Sequence, residues 1–240
     1  MRIAGFVPNS FVDYPGKIAM LVFTPGCNMN CWYCHNRHLI RAGTTDVYYN
    51  PASILADLEK KRGFLDAVVI SGGEPTLHRG AADFAAQVKQ KGYLVKLDTN
   101  GTNPAAVRAM LEAGTLDYVA MDIKAPFAKY EAVCGRAVNL DAVRETIALL
   151  ANTYAAQEGF SYELRTTFSP DLTQEDILQL VHEAAEISQQ AAGAEIPLYT
   201  LQQYRPTPQT ENRPPHPPEY IRETAAKLEG ILPKVRILGL

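Results

Sequence analysis

Short β-rich runs alternate with longer helical patterns along this chain of 240 residues, and that alternation limits the folds open to it. The strand candidates are residues 17–24, 67–71, 93–98, 118–123, 162–168 and 196–201. Several, such as Ala67-Val68-Val69-Ile70, are continuous apolar runs rather than alternating ones, which suits parallel strands buried on both faces. The helices between them announce their ends. Asn50-Pro51 and Asn103-Pro104 each read as an N-cap followed by proline at the first helical position, and Gly114 reads as a C′ residue. Thr173 and Asp176 bracket another helix start as a looser capping box, after which Ile177, Leu180, Val181 and Ala184 share one helical face. A helix from Asn139 buries Val143, Ile147 and Leu150 in the same way.

Repeated strand–helix alternation implies right-handed βαβ units and a parallel sheet. Six units are visible, whereas a closed barrel needs about eight and typically ~250 residues. The expected fold is therefore α/β, a partial, open TIM-like barrel of the (βα)6 kind. On pattern alone a flat doubly wound sheet is the alternative. In both, ligands gather at the carboxyl ends of the strands. One segment, 204–218, breaks the pattern with Pro206, Pro208, Pro214, Pro215, Pro217 and Pro218. It is expected to be a stiff surface connection, with His216 solvated. A helix near 220–228 and a terminal run at 234–238 finish what reads as a single domain over 1–240, without internal repeat or linker.

Composition places few further limits. Hydrophobic residues make up 47% and charged residues 20%, as in a globular protein with a full core. A net charge of -3 gives no electrostatic case for a nucleic-acid partner. The first 30 residues have no basic start followed by an apolar run, so no signal peptide is expected. The apolar stretch Ile18–Phe23 is too short to span a bilayer, and no membrane association is expected. Of four cysteines, three are crowded together, unlike a secreted disulfide framework. A reducing, oxygen-poor cytoplasm is the expected location.

Those three cysteines are Cys27, Cys31 and Cys34, in the run Pro-Gly-Cys-Asn-Met-Asn-Cys-Trp-Tyr-Cys-His-Asn. Three thiolates can hold an iron–sulfur cluster and leave one iron without a protein ligand, open to a second molecule. The bland alternative is a structural zinc site completed by His35 or His38. Zinc sites usually bring two separated ligand pairs, and the remaining cysteine, Cys134, stands far along the chain. The cysteine loop directly follows the first strand, so it lies at the carboxyl end of the sheet.

Other strand ends carry chemistry of their own. The second ends in Ser71-Gly72-Gly73-Glu74-Pro75, where glycines permit close approach to the backbone and Glu74 offers an acceptor for an ammonium group. The bland reading is a tight turn into a helix. The third ends in Leu97-Asp98-Thr99-Asn100-Gly101, where Asp98 could be no more than a cap or Asx-turn. The fourth ends in Met121-Asp122-Ile123-Lys124. Asp122 and Lys124, two apart on a strand, share a face, and could equally be a local charge pair.

The spacing Cys-x3-Cys-x-Tyr-Cys, with Tyr33 before the third cysteine, resembles the cluster loop of the radical S-adenosylmethionine (SAM) superfamily, and Gly-Gly-Glu resembles its SAM motif. Asp-Thr-Asn-Gly at 98–101, Met-Asp-Ile-Lys at 121–124 and Ser-Phe-Val-Asp-Tyr-Pro-Gly at 10–16 look like the glycyl-radical-enzyme activating family. Val-Ala-Met-Asp-Ile-Lys-Ala-Pro at 119–126 and Leu-Gln-Gln-Tyr-Arg-Pro at 201–206 are most similar to activators of anaerobic ribonucleoside-triphosphate reductases. The likeness runs from about Gly5 to Pro206.

This resemblance implies a barrel of the radical SAM type and a set of site residues. Cys27, Cys31 and Cys34 would ligate a [4Fe–4S] cluster. Gly72, Gly73 and Glu74 would meet the SAM amino group, and Asp122 and Lys124 would contact SAM. Asp98, Thr99 and Asp122 match side chains that hold a monovalent cation in the pyruvate formate-lyase activator, and Arg165 matches an arginine near the SAM carboxylate. A guanidinium suits a carboxylate bidentately, though a strand-end arginine can also be an ordinary salt bridge. The sixth strand departs from that activator: where it has a histidine, this chain has Leu201-Gln202-Gln203-Tyr204, leaving Gln203 or Tyr204 to fill the place.

The implied chemistry is reductive cleavage of SAM and removal of hydrogen from a glycine of a partner enzyme. The implied partners are a glycyl-radical enzyme, namely anaerobic ribonucleotide reductase, and reduced flavodoxin or ferredoxin as electron donor. The rivals are a pyruvate formate-lyase-type partner, a small-molecule substrate, and a zinc- or iron–sulfur-stabilised binding or electron-transfer module.

Overall fold

The structure, a computed structural model, describes residues 1–40, 48–208, 210 and 213–240. Positions 209, 211 and 212 of the proline-rich segment therefore lie outside the described residues. In chain order the elements are β1 (Gly5–Ser10), β2 (Ala19–Thr24), α1 (Pro51–Lys60), β3 (Ala67–Gly72), α2 (Ala81–Gln90), β4 (Leu94–Thr99), α3 (Pro104–Glu112), β5 (Tyr118–Asp122), α4 (Tyr130–Cys134), α5 (Leu140–Ala156), β6 (Ser161–Phe168), α6 (Gln174–Ala192), β7 (Tyr199–Gln203), α7 (Pro218–Leu228) and β8 (Val235–Leu238). The six expected strands are β2 to β7, each followed by at least one helix.

The chain divides into two compact units. The first comprises Met1–Asn28, His38–Thr99 and Ala105–Val119, and the second Met29–Arg37, Asn100–Pro104 and Ala120–Leu240. In the first unit β2, β3 and β4 run parallel in that order, with Leu21 opposite Val69 and Val69 opposite Lys96. Val68, Val69 and Ile70 have no exposed surface, so the continuous apolar run is a strand covered on both faces. Full burial of each such side chain is worth roughly 1.5–3 kcal/mol. In the second unit β6, β7 and β8 run parallel, with Leu164 opposite Tyr199 and Tyr199 opposite Val235.

The helix starts at Asn50, Asn139 and Thr173 are capped. Asn50 accepts from the Ala52 amide at 2.9 Å to start α1, and Asn139 from the Ala142 amide at 3.3 Å to start α5. Thr173 and Asp176 form a reciprocal box at α6, with bonds of 3.2 and 2.9 Å. Helix α6 buries Ile177, Leu180, Val181 and Ala184, and α5 buries Val143, Ile147 and Leu150. Among the described residues no helix is long and apolar enough to cross a membrane.

Two expectations need correction. Strand β1 is not among the six expected; it pairs antiparallel with β2, and Pro8 within it hides the pattern. On a sheet edge a proline removes no ladder bond. In the segment 204–218 the six prolines are exposed, as in a surface connection, but His216 is not simply solvated. His216 packs on Phe168 at 4.4 Å between centroids and donates from Nε2 to the Leu172 carbonyl at 2.9 Å. The aromatic face beneath it, Phe168 and Tyr220, comes from β6 and α7 and was invisible to local composition.

Candidate functional site

In the first unit the carboxyl ends of β2 and β3 are laced together by backbone. The Gly73 amide donates to the Thr24 carbonyl and the Glu74 amide to the Gly26 carbonyl, both at 2.8 Å. A Cβ on Gly72 would stand 2.3 Å from the Thr24 nitrogen, and one on Gly73 would stand 2.0 Å from the Gly26 oxygen. Gly72 also has φ +119°, where side chains are strained. The two glycines thus admit the chain that leads into Cys27. The expected close approach is met first by the protein's own backbone. The start of the cysteine loop is held from the other side as well: the Gly26 and Cys27 amides donate to the Leu39 and Ile40 carbonyls at 2.6 and 3.2 Å.

Glu74 is 1% exposed. Its Oε1 accepts from the Thr76 amide at 3.1 Å, the Thr76 hydroxyl at 2.6 Å and the Thr99 hydroxyl at 2.8 Å. Three donors on one oxygen offset the cost of burying this side chain and fix its direction. Asp98, at the end of β4, accepts from the Ser71 hydroxyl at 3.0 Å and pairs with Lys96 at 2.8 Å. Lys96 is 2% exposed and also donates to the Asp13 carbonyl at 2.6 Å. Asp98 therefore has a cation built into the fold. Sequence reasoning passed over Lys96, although a lysine in the apolar run Leu94-Val95-Lys96-Leu97, on the same face as Asp98, was a readable signal.

The second unit carries the rest. A turn closes on Cys31 and Cys34: the Cys34 amide donates to the Cys31 carbonyl at 3.2 Å, and Arg37 Nη1 donates to it at 3.0 Å. The end of α4 is tied to the same loop, because the Asn30 amide donates to the Cys134 carbonyl at 2.9 Å. Gly135 follows in the left-handed conformation at φ +64°, with an added Cβ placed 2.9 Å from the Asn30 oxygen. Cys134 is fully buried. A hydrogen bond with its thiol lowers the Cys31 pKa to about 6; burial opposes this and the Lys124 charge assists it. Cys34 moves the other way, pushed up by burial.

Asp122, Lys124 and Arg165 form one charge group. Arg165 Nε donates to Asp122 Oδ1 at 2.9 Å, and Lys124 Nζ stands 3.2 Å from Oδ2. Burial would raise the Asp122 pKa, but the charges of Arg165 and Lys124 override it and hold the carboxyl well below the usual range. Burial would lower Lys124, yet Asp122 and Cys31 raise it above an ordinary lysine. The three side chains together carry a net charge of about +1. Of the sixth-strand candidates, Gln203 Nε2 donates to the His216 carbonyl at 3.2 Å, and the Tyr204 hydroxyl meets Thr210 at 3.1 Å.

None of the four cysteines is joined in a disulfide. Among the described residues no three His, Cys, Asp or Glu side chains converge where one metal ion could sit. The donors nonetheless suit a thiolate-ligated cluster, in which each sulfur takes its own iron. Cys31 is poised as a thiolate beside a lysine, and both ends of the loop are pinned by backbone bonds.

Residues 21–184 match the model of the radical SAM superfamily. The chain belongs to the radical SAM superfamily. Within it, this radical SAM protein is 33% identical over 209 residues to a protein of Methanocaldococcus jannaschii named as a glycyl-radical enzyme activating enzyme, covering 85% of this chain and 80% of that one. It is 37% identical over 109 residues to the pyruvate formate-lyase 1-activating enzyme of Escherichia coli strain K12, covering 42% of each. Among solved structures, Streptococcus suis SuiB bound to S-adenosylmethionine superposes with a TM-score of 0.69 at 13% identity, over 91% of this chain and 52% of that one. The fold is thus the partial barrel of radical SAM enzymes, and the glycyl-radical-enzyme activating family is the one this chain joins. It is an enzyme that uses a [4Fe–4S] cluster and SAM. The zinc and binding-module readings fall with that assignment.

Proposed function

We propose that this radical SAM enzyme generates the glycyl radical of an anaerobic ribonucleoside-triphosphate reductase. The likeness along most of the chain to a relative named for glycyl-radical enzyme activation carries the reading. The motifs at 119–126 and 201–206 direct it to the reductase. A pyruvate formate-lyase-type partner is the second reading, favoured by the shorter match to that activator.

When bound, the cluster and SAM supply reductive cleavage of SAM and a radical able to take hydrogen from carbon. The chain supplies binding and orientation. Cys27, Cys31 and Cys34 are the proposed iron ligands. Glu74, immobilised by Thr76 and Thr99, is the acceptor for the ammonium of the SAM methionine moiety. Lys124 and Arg165 offer positive charge to its carboxylate, and Asp122 fixes the direction of both. Gly72 and Gly73 keep that stretch of backbone bare. Asp98 and Thr99 remain candidates for a monovalent cation, although the Lys96 ammonium meets the same charge need on Asp98.

A glycine is a suitable target because no side chain hinders its α-hydrogen. Reduced flavodoxin or ferredoxin is the proposed electron source, in an oxygen-poor cytoplasm. The test is anaerobic incubation of the iron-loaded protein with SAM, reductant and each candidate partner. Methionine and 5′-deoxyadenosine should form in near-equal amounts, and faster with the reductase than with a pyruvate formate-lyase. The reverse order would favour the second reading, and cleavage indifferent to both would favour a small-molecule substrate.

A further inference from the structure

Trp32 lies between the two cysteines of the closed turn, Cys31 and Cys34, and its indole is gripped from three sides. Its Nε1–H donates to Asp171 Oδ2 at 2.6 Å, from the connection between β6 and α6. The Arg213 guanidinium lies over the ring at 4.4 Å and also pairs with Asp171 at 2.5 Å. Tyr204, fully buried, meets the ring edge-on at 5.3 Å. Arg213 and Tyr204 both belong to the proline-rich segment. A further bond joins the segment to the loop, between His35 Nε2 and the Arg205 carbonyl at 2.9 Å. The base of the segment is held in turn by His216 on Phe168.

We propose that Arg213 and Asp171 are positioning residues for the cluster loop, and that Tyr204, Arg205 and Arg213 of the proline-rich segment form the clasp through which they act. The proposal rests on the cluster reading above. Its physical basis is preorganisation. The Cys31–Cys34 turn is short, so fixing the side chain at its centre fixes the separation and direction of both thiols before iron arrives. An isolated surface ion pair would do little of this. Here the pair shares its carboxylate with the indole N–H and its cation with the indole face, so the three groups form one closed network. Prolines suit the clasp because they hold Arg213 in place at low entropic cost.

Trp32 is the chain's single tryptophan, so its fluorescence reports on the clasp alone. The variants are Arg213→Ala, Asp171→Asn and the conservative Arg213→Lys. Acrylamide quenching is measured on the iron-free chain, and iron release to a chelator is measured anaerobically on the loaded chain. Arg213→Ala and Asp171→Asn should raise quenching and speed iron release about three- to tenfold, a modest loss of preorganisation by the usual conversion of free energy to rate. Combining them should add little, as expected of coupled groups, and Arg213→Lys should recover part of the loss. Unchanged quenching in both single variants would overturn the clasp. Raised quenching with unchanged iron release would overturn the positioning role. If the unaltered chain took up no iron–sulfur cluster, the cluster reading itself would fail, and with it the positioning role, whereas quenching would still report on the contact.

Discussion

Arg165 on β6 and Asp122 on β5 are joined by an Nε–Oδ1 bond of 2.9 Å, and Lys124 reaches the other oxygen of the same carboxylate at 3.2 Å. Two cations on one carboxylate leave a positive excess, and removing the carboxylate leaves both without it. Asp122→Asn should weaken SAM affinity and 5′-deoxyadenosine yield while leaving iron content unchanged. It should also destabilise the protein by roughly 1–3 kcal/mol, between the values for surface and buried pairs. The Asp122 pKa is depressed in the folded chain, so its contribution is complete above the unfolded value of about 3.9 and is lost as pH falls further. The gap in thermal midpoint between the two proteins should therefore close below about pH 4. Equal SAM binding and equal yield would remove the residue from the site.

The cysteines should separate into ligands and a neighbour. Changing Cys27, Cys31 or Cys34 to Ala should abolish cluster assembly, read as loss of iron and acid-labile sulfide. Cys134→Ala should keep the iron, and a loss of iron confined to that variant would contradict the ligand assignment. Its effect should appear instead in the iron-free chain. The Cys31 pKa is lowered to about 6, first by the bond with Cys134. A depressed thiol adds stability above the unfolded pKa of about 8.5 and loses it as pH falls through the folded value. The thermal midpoint of the iron-free protein should thus rise from about pH 6 to 8.5, and Cys134→Ala should flatten that rise.

Gly72 and Gly73 should tolerate no side chain. In each case the added Cβ meets backbone of the segment Phe23–Gly26, which cannot yield without moving Cys27. Gly73→Ala should cost about 1–3 kcal/mol or more in urea unfolding, and Gly72→Ala more still because of its φ of +119°. Both should impair iron uptake. Wild-type stability in either variant would place the β2 end farther from β3 than the structure does.

Lys96→Met should strand the Asp98 carboxylate without its buried ammonium and destabilise the first unit by about 3–5 kcal/mol. If Asp98 and Thr99 also take a monovalent cation, added potassium or sodium should raise the thermal midpoint of this variant more than that of the unaltered protein. Equal salt responses would remove Asp98 from the cation site.

Much of the fold was legible because it depends on local signals. The buried β3 run, the Asn50 and Asn139 caps, the Thr173–Asp176 box and the apolar face of α6 each lie within a few residues of one another. Strand β1 was not legible, since an edge strand containing Pro8 lacks both alternation and a continuous apolar run. The candidate residues were found by motif, but their partners were not. Lys96 on Asp98 could have been read from the strand period. Cys134 beside Cys31 and Arg213 over Trp32 join residues more than 100 positions apart, and no spacing rule reaches that far. The glycines were assigned to ligand approach, whereas the contact made in the fold is with the β2 end, which only the pairing of Gly73 with Thr24 reveals.

The most direct measurement of the central claim is electron paramagnetic resonance of the reductase after anaerobic incubation with the iron-loaded protein, SAM and reduced flavodoxin. A doublet that narrows when the reductase carries α-deuterated glycine, and that is absent with Cys31→Ala, is the predicted result. Robust SAM cleavage with no glycyl signal on the reductase or on a pyruvate formate-lyase would contradict the account.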